Sequence, residues 1–93
     1  MRYNHTEDTD PSRAIQLKEF RYHFDKMMGV LGERERKIIN MRYGFGGEKK
    51  HTFAEIGREL GVTRERVRQL EAKAILKLRK TEHFKEVQSF FEI

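Results

Sequence analysis

The twenty residues from Phe53 to Ala72 constrain the fold more than any other part of the chain. Apolar side chains stand at Phe53, Ile56, Leu60, Val62, Val67 and Leu70, with glycines at 57 and 61. Two short helices that cross closely need a small residue where they touch, which Gly57 supplies. The turn between them needs a residue tolerant of positive φ, and Gly61 stands there. One small position, one turn position and six apolar positions are satisfied together, which predicts a helix-turn-helix. Thr52-Phe53-Ala54-Glu55 fits a capping box, so the first helix starts after Thr52 and runs to Leu60. Thr63 caps the second, which extends to about Lys80.

The rest of the chain reads as helix too. Proline occurs once, and no alternating β-branched run of strand length is present. At 93 residues there is room for one domain, and 37% hydrophobic against 38% charged suits helices with one apolar stripe each. Residues 1–10 are acidic, nearly without apolar side chains, and read as a flexible leader. Asp10-Pro11 is a helix start, with Asp as cap and Pro at the first helical position. Leu17, Phe20, Phe24, Met27 and Leu31 then recur every three or four residues as an apolar stripe, until Gly29 or Gly32 ends the helix. A second helix runs from about Glu33 to Tyr43, with Ile38, Ile39 and Tyr43 as its core contacts. Gly44 to His51 is a glycine-rich loop. The fold expected is all-α, a compact domain of four to five helices. Residues 11–80 form the domain, with the helix-turn-helix at about 52–80, and 81–93 form a C-terminal helical tail. Phe84, Val87, Phe90 and Phe91 give that tail an apolar stripe. It either folds back on the Ile38/Ile39 helix or stays exposed as a docking surface, and folding back is preferred because exposed Phe pairs promote aggregation.

The charge points to a partner. Between Arg58 and Lys80 there are eight Lys/Arg against three Glu, while the remaining residues carry twelve of each sign. The whole net charge of +5 thus sits in one segment, the footprint of a polyanion partner. There is no cysteine, so disulfides and thiolate metal sites are excluded. No apolar run has the length of a signal peptide or a membrane span, so the chain is expected in the cytoplasm with no membrane partner. His5, His23, His51 and His83 show no metal-ligand spacing. Gly44 to Gly47 lacks the Lys-Ser/Thr ending of a phosphate-cradling loop, and no catalytic triad or carboxylate pair can be assembled. No metal, cofactor or enzymatic activity is expected. Met27, Met28, Phe20 and Phe24 read as core rather than as a ligand pocket.

Angular position on the second helix of the motif separates packing from readout. At about 100° per residue from Val67, the side chains of Leu70, Ala74 and Leu78 face inward. Glu65, Gln69, Ala72 and Leu76 lie opposite, with Arg64 and Arg68 beside them near the N-terminal end that enters the major groove in such motifs. Arg can fork onto guanine, Gln onto adenine, and Glu can accept from the cytosine amino group. An acid on this basic face needs a cytosine or a neighbouring Arg. For Glu65 both roles stay open.

The run from Val62 through Arg64-Glu65-Arg66-Val67-Arg68-Gln69 to Ala74, followed by Leu78-Arg79, closely resembles region 4.2 of primary-type bacterial sigma factors. Leu31 to Glu35 and Met41 to Phe45 resemble region 4.1, and the likeness covers roughly residues 30–79. It implies recognition of the promoter −35 element in double-stranded DNA, with Arg64, Glu65, Arg68 and Gln69 at the bases. It also implies backbone contacts from Arg34, Arg42, Thr52, Lys73 and Arg79, groups apt for phosphate, which positions without specifying. The partners implied are RNA polymerase core, through an apolar surface that docks on the β flap, and an anti-sigma factor or a transcription activator. Two departures stand out. Leu76 replaces a basic residue used with activators, and Lys80-Thr81-Glu82-His83 replaces the usual His-Pro-Ser-Arg. The family's core-binding and −10-melting regions are absent, so the chain is expected to be the C-terminal piece of a longer protein. The competing readings are a free-standing helix-turn-helix regulator, which would dimerise on paired half-sites, and a module acting mainly by binding the flap or an anti-sigma factor.

Overall fold

A computed structural model describes residues 11–47 and 49–88, the side chains of 11–16 excepted. Its described residues form five α-helices and no strand: α1 (Pro11–Met28), α2 (Glu33–Tyr43), α3 (Phe53–Leu60), α4 (Arg64–Arg79) and α5 (Phe84–Val87). The fold is all-α, as the composition predicts. α1 begins at Pro11, where a missing N–H costs nothing; the Asp10 cap and the leader 1–10 lie outside the described residues. α2 is held at its start by the Glu35 carboxylate, which accepts from Gly32 N–H at 2.9 Å. It stops at Gly44, whose φ of 77° ends the helix in the left-handed conformation. A single 3₁₀ turn, Phe45–Gly47, follows.

Two groups of buried side chains share α2 and α4. One joins Met27, Met28 and Leu31 to Ile39, to Ala74, Ile75 and Leu78, and to Phe84 and Val87. The other joins Ile38 and Met41 to Ile56 and Val67, with Phe53, Leu60, Val62 and Leu70 packed against it. Neighbouring helical residues diverge by about 100°, so adjacent Ile38 and Ile39 enter different cores. α4 divides by length instead, its first turns packing on α3 and its later turns facing α1 and α5. Each fully buried aliphatic side chain contributes about 1.5–3 kcal/mol, so both groups are needed in a chain this small.

Two expectations change. Leu17 does not belong to the core: it is 54% exposed, while Phe20 and Phe24 are half-buried and Met27 is fully buried. Among the described side chains of α1, those that meet the core begin at Phe20. The tail does fold back at Phe84 and Val87, yet its main partner is α1 rather than the Ile38/Ile39 helix. Phe90 and Phe91 lie outside the described residues.

Candidate nucleic-acid interface

The relation between α3 and α4 is set by backbone. Thr52 Oγ1 accepts from Glu55 N–H at 3.1 Å, and Glu55 Oε1 accepts from Thr52 N–H at 2.9 Å, closing the expected capping box. A Cβ on Gly57 would lie 2.6 Å from the Val62 carbonyl oxygen. The small residue is therefore required by the turn itself, not by a side chain of the facing helix. Gly61 has φ 74°, and Val62 N–H donates to the Gly57 carbonyl at 2.9 Å. Thr63 then caps α4, its hydroxyl accepting from Arg66 N–H at 3.0 Å. These contacts leave little freedom in the angle at which α4 leaves the turn.

The inward face of α4 is as its periodicity requires. Val67, Ala74 and Leu78 are fully buried and Leu70 half-buried. Arg64, Glu65, Arg68 and Gln69 are all exposed in its first two turns. Arg68 forks onto Glu65, with Nε donating to Oε1 at 3.0 Å and Nη2 to Oε2 at 2.7 Å. That hydrogen bond holds the Glu65 carboxyl below the usual carboxylate value and pushes the Arg68 guanidinium up. Arg66 Nη1 donates to Gln69 Oε1 at 3.4 Å. In the free chain, then, Glu65 is the partner of Arg68. Both side chains are more than half exposed, so the pair is weak and can open.

Of the backbone candidates, Arg42 and Thr52 are drawn to one place. The Arg42 guanidinium lies 4.1 Å from the centre of the Phe53 ring, and Nη1 donates to the His51 carbonyl at 3.2 Å. His51 N–H in turn donates to the Met41 carbonyl at 2.8 Å. Arg42 thus ties the end of α2 to the start of α3 while remaining half-exposed. Arg34, Lys73 and Arg79 are exposed. Among the described residues, no hydrogen bond or ion pair joins Arg34 or Arg79 to the Arg64–Gln69 face. Leu76 is 58% exposed.

Sequence reasoning missed the side chains that brace α4 against α2. Tyr43 hydroxyl donates to Glu71 Oε2 at 2.8 Å, and Lys77 Nζ meets Glu35 Oε2 at 2.7 Å. Glu35 is held below the ordinary carboxylate value chiefly by Lys77, then by Gly32 N–H. No local spacing signals either contact, because each joins different helices. Among the described residues no group of three or more His, Cys, Asp or Glu could hold a metal ion, and no helix is long and apolar enough to cross a membrane.

Comparison with known proteins places this geometry in a family. The model of the family "Sigma-70, region 4" matches residues 27–80. The chain is similar to the RNA polymerase sigma factor SigA of Lactococcus lactis subsp. cremoris, 41% identical over 81 residues, which are 87% of this chain and 21% of that protein. It is 36% identical to SigA of Listeria monocytogenes over 84 residues, 90% of this chain and 22% of that one. It is 38% identical to the chloroplastic RNA polymerase sigma factor sigF of Arabidopsis thaliana over 69 residues, 74% of this chain and 13% of that one. The chain spans about a fifth of the length of the SigA proteins it matches.

Proposed function

The chain belongs to the sigma-70 region 4 family, and from that premise we propose that it reads the promoter −35 element for a sigma factor during transcription initiation. The observation that carries this is the exposed face of α4, where Arg64, Glu65, Arg68 and Gln69 stand together on a helix whose other side is buried. The N-terminal turns of α4 enter the major groove. There Glu65 exchanges Arg68 for a cytosine amino group, which frees the Arg68 fork for guanine, while Gln69 leaves Arg66 for adenine. Arg34, Arg42, Thr52, Lys73 and Arg79 meet phosphates and set the register. The role is binding, with no chemical step, and its place is the cytoplasm.

The polymerase half of the proposal rests on the β flap as partner. α1 and the 3₁₀ turn offer an apolar groove lined by Leu17, Phe20, Phe24 and Phe45, which suits an amphipathic segment laid along it. An anti-sigma factor or an activator would compete for or add to these surfaces.

Binding to a randomised duplex library tests the DNA half. A single enriched element bound by a monomer is expected. Enrichment of paired half-sites by a dimer would favour a free-standing regulator, and no enrichment would remove base readout altogether. Titration with a flap peptide tests the other half, and no binding there would confine the proposal to DNA.

A further inference from the structure

Two of the four histidines meet, although 60 residues separate them. His23 projects from the second half of α1, and His83 sits at the start of α5. Their Nδ1 atoms are 2.9 Å apart and their ring centres 5.1 Å apart. That centre-to-centre distance is nearly the Nδ1 separation plus the two ring radii, so the nitrogens point at each other head-on. Lone pairs converging on a metal ion would instead meet at an angle to one side. The contact has the distance and direction of a hydrogen bond between the two rings. Tyr22 closes over it, its ring edge-on to both imidazoles.

We propose that His23 and His83 form a proton-operated latch that fastens α1 to the start of α5. With both rings neutral, one carries its proton on Nδ1 and donates to the bare Nδ1 of the other. One added proton leaves this bond in place and makes it charge-assisted. A second added proton sets N–H against N–H between two positive rings, and the contact opens. The latch is closed at neutral pH and opens in acid. The doubly protonated pair is favoured only in the open or unfolded chain, so stability is lost as the second proton is taken up. The charged groups placed around it are the Glu82 carboxylate, 3.9 Å from His83 Nε2, and Lys26 on α1, with Nζ 5.6 Å from the Tyr22 ring centre.

The latch belongs to one of the two cores only. The side chains beside it, Met27, Phe84 and Val87, pack in the α1/α5 group, whereas the base-reading end of α4 rests on the Ile38/Ile56 group. Acid therefore loosens the lobe that carries the apolar groove and leaves the helix-turn-helix in place. This holds whether or not the groove receives the flap.

Nitrogen NMR of the imidazoles in the 93-residue chain tests the bond directly. At about pH 7.5, above the ordinary imidazole value, one of the two rings should carry its proton on Nδ1 and the other on Nε2. Protons on Nε2 in both rings would overturn the latch. Melting at about pH 7.5 and about pH 5 tests its effect. The acid-induced fall in Tm should be larger in the wild type than in H23Q/H83Q by on the order of 5 °C, the shift that loss of one such bond gives in a domain of this size. H51Q should keep the full fall. An equal fall in the double variant, or acid broadening of amide signals as strong at Ile56 and Val67 as at Met27 and Val87, would refute the proposal.

Discussion

A methyl group on Gly57 would sit 2.6 Å from the Val62 carbonyl oxygen, a backbone atom in a turn that the Val62 N–H bond to Gly57 already closes. Alanine would gain about 1 kcal/mol in helix propensity, but the overlap cannot be relieved by a side-chain rotation. Gly57→Ala should therefore destabilise the fold by a net of roughly 1–3 kcal/mol. Gly61 differs: nothing lies within 4 Å of its missing Cβ, and only its φ of 74° excludes other residues. Gly61→Val should cost about 1–3 kcal/mol from backbone strain alone. Denaturant melts of both variants check this, and full stability in either would mean that the turn is held differently. On the proposed DNA face the separation is between reading and holding. Arg64→Ala should lose roughly 1–3 kcal/mol of discrimination at one or two base pairs, whereas Lys73→Ala should weaken all sequences alike and flatten the salt dependence. Sequence-independent losses in both variants, measured by titration against cognate and scrambled duplexes, would sink the assignment of readout to α4.

The helix ends were legible because their signals are local. Gly32 and Gly44 bound α2, Thr52 and Gly61 bound α3, and Thr63 starts α4, each through hydrogen bonds or a φ value within four residues. What links one helix to another was not legible. Tyr43 and Glu71 lie 28 residues apart, and no period along either helix pairs them. Leu17 shows the complementary failure, since periodicity names the inward face of α1 but not how far the neighbouring helices extend beneath it. Lys77 and Glu35, another unforeseen brace, make a prediction at this scale. The Glu35 carboxyl is held below its unfolded value, first by Lys77 and next by Gly32 N–H. Its contribution is present above the unfolded value, about 4.3, and is lost as pH falls through the lower folded value. Glu35→Gln should therefore be less stable than the wild type at about pH 6, with the gap narrowing as pH falls below about 4. Melts across that range check it, and a gap independent of pH would mean that the ion pair contributes nothing.

At the scale of the whole molecule the two cores are unequal in what they need. The helix-turn-helix core draws all its side chains from 38–70, a continuous stretch, whereas the other gathers α1, Ile39, the later turns of α4 and α5 from both ends of the chain. Phe84 and Val87 are 7% and 0% exposed, so the helix of four residues that carries them is core rather than appendage. Truncation after Lys80 removes both and uncovers Met27 and Leu78. At about 1.5–3 kcal/mol for each large apolar side chain, the loss is roughly 3–6 kcal/mol. That is a large part of the 5–15 kcal/mol typical of a native domain. The truncated chain should thus melt on the order of 10 °C or more below the full one. Its α1 should lose protection first, because α5 is the main neighbour of α1. Calorimetry with amide exchange resolves the two cores. An unchanged Tm with loss of partner binding would instead make residues 81–93 a docking surface. An unchanged Tm with unchanged binding would leave the burial of Phe84 and Val87 without energetic consequence.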